Sequence, residues 1–150
     1  MSTCGETDTN PSCCDPAVPN SQATPNCPAC GAVGKLVAVQ TVRALAAVSL
    51  REVRGQSYRF CAAPTCAVVY YDATAGAVFT HDQLRERVYQ KERECSDGLI
   101  CYCFRHTVGD VRNGDSRHRE AILADITAGI QADQCACDLR NPQGACCLGN

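Results

Sequence analysis

The sequence contains no tryptophan, and aromatic residues make up only 5% of its 150 positions. Cores built without large rings are thin, and a thin core needs a staple such as bound metal. Long apolar runs are also missing. The most apolar stretch, Leu36 to Leu50, is broken by Gln40, Arg43 and Ser49, and a membrane span needs about 18 uninterrupted apolar residues. Membrane insertion is therefore not expected. There is no excess of basic charge: 14 Lys and Arg stand against 16 Asp and Glu, for a net charge of −2, without a like-charged block. That balance argues against a nucleic-acid partner. The opening residues, MSTCGETDTNPSCCDPAVPN, are polar. They lack the basic and apolar segments of a secretory leader, so the expected location is cytoplasmic. No Ser/His/Asp or Cys/His catalytic set is recognisable, and no hydrolytic or transferase site is expected.

Cysteine, by contrast, is abundant, with fourteen residues. In a short secreted chain such a density signals a disulfide scaffold. In a reducing compartment it signals metal binding or redox work. The thiols fall into two spaced sets, and soft thiolates select zinc, Cu(I) or iron–sulfur clusters.

The first set is Cys27-Pro28-Ala29-Cys30 followed by Cys61 and Cys66. The two-residue spacer lets both sulfurs reach one ion, and Gly31 permits the tight turn that follows. The segment Ala62 to Thr65 turns the chain so that Cys61 and Cys66 come together. Four thiolates suit a closed, tetrahedral, structural Zn²⁺ site. The unusual four-residue spacer leaves room for Asp72 or another oxygen or nitrogen ligand. A thioredoxin-type redox pair at Cys27 and Cys30, or a mononuclear iron site, are the alternatives.

The second set is Cys101-Tyr102-Cys103, then Cys135-Ala136-Cys137, then Cys146-Cys147. One spacer residue along a strand directs two sulfurs to the same face, which suits two ligands on one iron of a [2Fe–2S] cluster. The other two ligands must come from Cys135, Cys137, Cys146 and Cys147. Cys4, Cys13, Cys14 and Cys95 are surplus.

The chain divides into three parts. Residues 1–26 are polar and aperiodic and read as a disordered tail. Residues 27–94 read as a mixed α+β unit. Strands are expected at Leu36–Val39, Gln56–Phe60 and Ala67–Tyr71, with a hairpin partner at Gly76–Phe79. Thr41 to Leu50 is helical or extended. The capping-box pattern at Thr80 and Gln83 predicts a helix through about Glu94, with Leu84 and Val88 on one face. In residues 95–150, Thr107 to Asp110 predicts a short helix that Asn113-Gly114 stops. Ser116 is expected to cap a second helix with Ile122, Ile126 and Ile130 along one face. Gln134 to Asn150 reads as a loop with a turn at Asn141-Pro142-Gln143-Gly144.

Two resemblances follow from these motifs. Cys101-Tyr102-Cys103-Phe104, Thr107-Val108, Asp110 and the later Cys135/Cys137 resemble a bacterioferritin-associated-ferredoxin (BFD-like) [2Fe–2S] domain. Together with the Cys27–Tyr71 region and the ending Arg140-Asn141-Pro142-Gln143-Gly144-Ala145-Cys146-Cys147-Leu148-Gly149, the chain from about 27 to 149 resembles the N-terminal domain of the CopZ-type copper chaperones. The implied fold is α+β: a small zinc-bound mixed unit followed by a BFD-like helical [2Fe–2S] unit. The implied function is copper metallochaperone work, with Cu(I) binding, reduction of Cu(II) through the cluster and delivery to a copper-transporting ATPase. The family's Met-x-Cys-x-x-Cys loop is not in this sequence, whose one methionine is Met1. A separate copper chaperone domain is thus a further candidate partner, alongside an unknown redox partner. The BFD-like final Cys-x-x-Cys pair is replaced by spaced cysteines and a doublet. Cys137 and Cys147, which bracket the Asn-Pro-Gln-Gly turn, are favoured as cluster ligands with Cys101 and Cys103, and Cys135 and Cys146 are alternates. A ferredoxin-like electron-transfer module and a zinc-ribbon binding module are the competing functional readings.

Overall fold

The computed structural model describes residues 25–150. The expectations for Cys4, Cys13, Cys14 and the polar tail before Pro25 lie outside the described residues. The first part of the chain builds a four-stranded antiparallel sheet in sequential order: β1 (Lys35–Val37), β2 (Tyr58–Phe60), β3 (Val68–Asp72) and β4 (Ala77–Thr80). All five residues of β3 are buried. Buried on both faces, this run of β-branched and aromatic residues forms the spine of the unit. Helix α1 (Val39–Leu45) follows β1 and buries Thr41, Val42 and Leu45. It resolves the ambiguity between helix and strand at Thr41–Leu50 in favour of a short helix. Val42, Ala46, Val53, Tyr58, Phe60, Tyr70 and Phe79 share the main apolar core.

The helix expected from Thr80 to Glu94 is not formed. Thr80 and Gln83 do make a capping box, but it opens a single 3-10 turn at His81–Gln83. The chain then leaves the helical path at Leu84, which is extended (φ −107, ψ 154). The reason is tertiary. Leu84 bridges to Ala46, the Arg85 N–H donates to Leu45 O, and the Ala47 N–H donates to Gln83 O. These strand-like bonds replace the helical ones. Leu84 and Val88 are still buried, so their spacing signals burial without the regular helix.

The second part opens with a two-stranded antiparallel ribbon of β5 (Leu99–Cys101) and β6 (His106–Thr107). Thr107 caps α2 (Val108–Asn113) as expected, accepting from the Asp110 N–H at 3.1 Å. Helix α3 (Ser116–Gln131) begins one residue earlier than a Ser116 cap would place it. Its cap is Asp115, which accepts from the His118 N–H at 2.8 Å. Ile122 and Ile126 are buried, and Ile130 faces outward. The cysteine-rich tail is not all loop: α4 (Cys137–Arg140) and a closing 3-10 turn at Cys147–Gly149 interrupt it.

Buried polar contacts join the two parts. Helix α4 packs on α1, with the Thr41 hydroxyl donating to Asp138 O. The buried Tyr70 hydroxyl donates to Pro142 O at 2.6 Å, and Tyr102 donates to Arg87 O at 2.7 Å. The Asn141–Gly144 turn, which lies between Cys137 and Cys147, is thus anchored on β3. Among the described residues, no helix is long and apolar enough to cross a membrane.

Candidate metal centres

The first centre sits at one end of the sheet. The Cys27–Gly31 turn is closed by the Gly31 N–H on Cys27 O at 2.8 Å. Gly31 takes a left-handed φ of 76°, a conformation that favours glycine. Cys61 follows β2 directly, and Cys66 precedes β3. The two strands therefore bring this pair up to the knuckle. Tyr71, also on β3, packs among the cysteines. Its hydroxyl donates to Pro25 O and accepts from the Gly34 N–H at 2.9 Å.

The four sulfurs lie within 4.8 Å of one another. Cys27 Sγ to Cys66 Sγ is 3.8 Å, and Cys30 Sγ to Cys61 Sγ is 3.6 Å. Four sulfurs about 2.3 Å from a tetrahedral zinc stand about 3.8 Å apart, so this donor set fits the ion. Cys27, Cys61 and Cys66 are buried, and Cys30 is exposed. A backbone hydrogen bond from Ala32 holds the Cys30 thiol down at about 7, helped by bonds from the neighbouring thiols. Burial pushes Cys61 up to about 12. Burial raises the Cys66 thiol as well, so this pair is costly to ionise without a cation, and binding a divalent ion displaces their protons. The Lys91 ammonium lies 3.7 Å from Cys61 Sγ and donates to Ala63 O at 2.7 Å. It offsets part of the excess negative charge of a tetrathiolate.

Asp72 is not a fifth ligand. Its Oδ2 accepts from the Gln56 and Ser57 N–H groups, each at 2.9 Å. Its Oδ1 accepts from those of Thr74 and Ala75 at 2.8 and 3.0 Å. Burial alone would raise this carboxyl, but the four backbone amides outweigh it and hold the pKa below its ordinary value.

The second centre lies between the β5–β6 ribbon, α3 and α4. Cys101, Cys137 and Cys147 are buried with Ile122 and Ile126, and Cys103, Phe104 and Cys135 pack against them. Cys103 Sγ lies 3.6 Å from Cys137 Sγ and 3.8 Å from Cys135 Sγ. Cys135 and Cys137 are 3.2 Å apart. Cys147 is buried in the same cluster as Cys101, and burial pushes its thiol up to about 12. Cys103 lies beyond the end of the strand that carries Cys101, so the two are not alternate residues on one strand face, contrary to expectation. The strand ends at Cys101 and the chain turns at Tyr102, so the alternation rule of an extended strand no longer applies. Phe104 packs on Gly129 of α3, where any side chain would occupy the ring's position. This contact holds the Cys101–Cys103 loop against the helix.

The donor set is five clustered soft thiols, more than enough for a [2Fe–2S] cluster, which takes four. The Ala136 N–H donates to Cys103 Sγ at 3.3 Å. Cys146 is exposed. Cys95 follows the segment where a helix through about Glu94 was expected, and no α-helix forms there. It accepts from Arg87 Nη1 and donates to Asp97 Oδ1, both at 2.8 Å, on the surface. Sequence reasoning missed Lys91 as a neighbour of the first centre, because no local pattern marks a contact thirty residues away. All eleven described cysteines are free thiols.

Comparison with known proteins agrees with this geometry. Residues 24–85 match the family described as a zinc binding domain of CopZ type. The copper chaperone CopZ of Archaeoglobus fulgidus is 32% identical over 122 residues, which are 81% of this chain and 57% of that protein. The chain thus spans little more than half the length of that relative. The X-ray structure of the Archaeoglobus fulgidus CopZ N-terminal domain superposes with a TM-score of 0.66 at 30% identity, covering 81% of this chain and 91% of that domain. The chain belongs to the family of CopZ N-terminal domains.

Proposed function

We propose that this protein is a cytoplasmic zinc and [2Fe–2S] metalloprotein that acts as a copper metallochaperone, binding Cu(I) as cargo and reducing Cu(II) through the cluster. The observation that carries the reading is the presence of two separate thiol centres of different character in one chain. The first is a closed set of four, spaced for a tetrahedral ion, as a structural zinc site requires. The second is oversupplied with thiols and flanked by helices α2, α3 and α4, which favours a BFD-like helical unit. Its ligands are Cys101, Cys103, Cys137 and Cys147, with Cys135 and Cys146 as alternates.

When bound, a [2Fe–2S] cluster supplies one-electron transfer. The chain's own contributions are the Ala136 N–H, which withdraws charge from Cys103 Sγ, and the apolar packing of Ile122 and Ile126, which keeps water away. Thiols outside the ligand sets are soft donors suited to Cu(I). The CopZ relative is named a copper chaperone, which supports copper as the cargo. A copper-transporting ATPase or a separate copper chaperone domain is then the receiving partner, and a redox partner supplies electrons.

The test is anaerobic titration of Cu(I) into metal-loaded protein against a competing Cu(I) chelator, with a parallel addition of Cu(II) to the reduced protein. Saturable uptake and oxidation of the centre by Cu(II) are expected. A protein that carries the cluster but takes up no Cu(I) is a plain ferredoxin-like electron carrier, and that result overturns the copper assignment.

A further inference from the structure

The second centre holds one thiol more than a [2Fe–2S] cluster uses. Cys101 and Cys147 are buried together in one cluster with Ile122 and Ile126 and line the same cavity. Cys103, Cys135 and Cys137 form a separate group whose sulfurs all lie within 4.8 Å. If the Cys101–Cys147 pair serves one iron, three thiols remain for the two positions on the other. Cys103 is common to both close approaches, at 3.6 Å to Cys137 and 3.8 Å to Cys135. Each of those distances matches the spacing of about 3.8 Å between two thiolates on one tetrahedral metal. The 3.2 Å between Cys135 and Cys137 is shorter than that spacing. Cys103 can therefore pair with either, while those two are too close to serve together.

The local backbone explains the equivalence. Ala136, between the two, precedes α4 with φ −133 and ψ 49. Its N–H is fixed on Cys103 Sγ at 3.3 Å. That bond clamps the segment so that the flanking side chains both turn toward Cys103. Cys137 is buried at the first turn of α4, and Cys135 is half-buried at the edge of the centre.

We propose that Cys135 and Cys137 share a single ligand position at the second centre, either thiol completing the cluster's set with Cys101, Cys103 and Cys147. The thiol that is not bound stays beside the centre as a soft donor open to an incoming ion. This inference rests on the [2Fe–2S] reading above and deepens it.

The experiment compares wild-type protein with Cys135→Ala, Cys137→Ala and the double variant, purified anaerobically. Iron, acid-labile sulfide and zinc are measured together with visible circular dichroism. Zinc retained at the first centre reports that each variant has folded. Both single variants are expected to keep the wild-type iron and sulfide, with a changed dichroism spectrum in the variant that is forced to use its other thiol. The double variant is expected to lose iron while keeping zinc. Iron-loaded wild type beside a zinc-containing single variant without iron overturns the sharing, since one thiol is then indispensable. A double variant that keeps its iron overturns it too. For a single variant lacking both metals, the matching valine substitution, which fills the site without offering a donor atom, decides: iron retained supports the sharing, and iron absent overturns it. A wild-type protein without iron or sulfide overturns the underlying cluster reading, a result separate from the others.

Discussion

Replacing Asp72 by asparagine separates a structural carboxylate from a metal ligand. In the native protein each carboxylate oxygen accepts two backbone N–H bonds. Asparagine keeps one acceptor oxygen and turns an NH₂ group toward the other pair of donors, whichever way the amide is placed. Two charge-assisted bonds are lost at about 1.5 kcal/mol or more each, so Asp72→Asn should destabilise by about 3 kcal/mol. For a chain of this size that is a fall in Tm on the order of 10 °C. Because the folded pKa is depressed, this stabilisation is complete above the unfolded value of about 3.9 and is lost as pH falls through the folded value. The gap between wild type and variant should accordingly be flat across neutral pH. The assay is thermal unfolding at a fixed, buffered free zinc concentration, since bound metal itself shifts the midpoint. Zinc content is measured alongside and should equal that of wild type. Loss of zinc with an unchanged midpoint, or a destabilisation below about 1 kcal/mol, would refute the reasoning and return Asp72 to the list of ligands.

Further expectations concern the neighbours of each centre. Lys91→Met removes the cation beside Cys61 and should weaken zinc binding by about tenfold, read by competition with a zinc chelator. Tyr70→Phe leaves the Pro142 carbonyl without its buried donor and should cost about 1–2 kcal/mol in denaturant unfolding. It should also loosen the turn between Cys137 and Cys147, seen as faster hydrogen exchange at Gly144. Stripping zinc with a chelator should expose the Cys27–Gly34 knuckle to proteolysis before the β3–β4 hairpin opens, because metal binding energy is folding energy there.

The two thiol sets were legible from spacing, and so were the elements whose signals are local. The β3–β4 hairpin follows from a β-branched run, and α2 from the Thr107–Asp110 box. Long-range pairing was not legible. The Thr80–Gln83 box forms as read, but backbone bonds from Leu45 and Ala47 pull Leu84 and Arg85 out of any helix. Nothing in residues 80–94 alone encodes that competition. The turn that follows Cys101 was not legible for a related reason. The same-face rule holds only while the strand continues, and β5 ends at Cys101. Helix α4, with four residues, is too short for periodicity to register, yet it carries Cys137 into the second centre.

Whether the two thiol sets hold two different metal centres is decided by anaerobic purification followed by quantification of zinc, iron and acid-labile sulfide, with EPR of the dithionite-reduced protein. One zinc per chain, iron and sulfide in equal amounts, and a rhombic signal of a single reduced [2Fe–2S] centre are expected. A colourless protein with two zinc ions and neither iron nor sulfide would contradict that expectation.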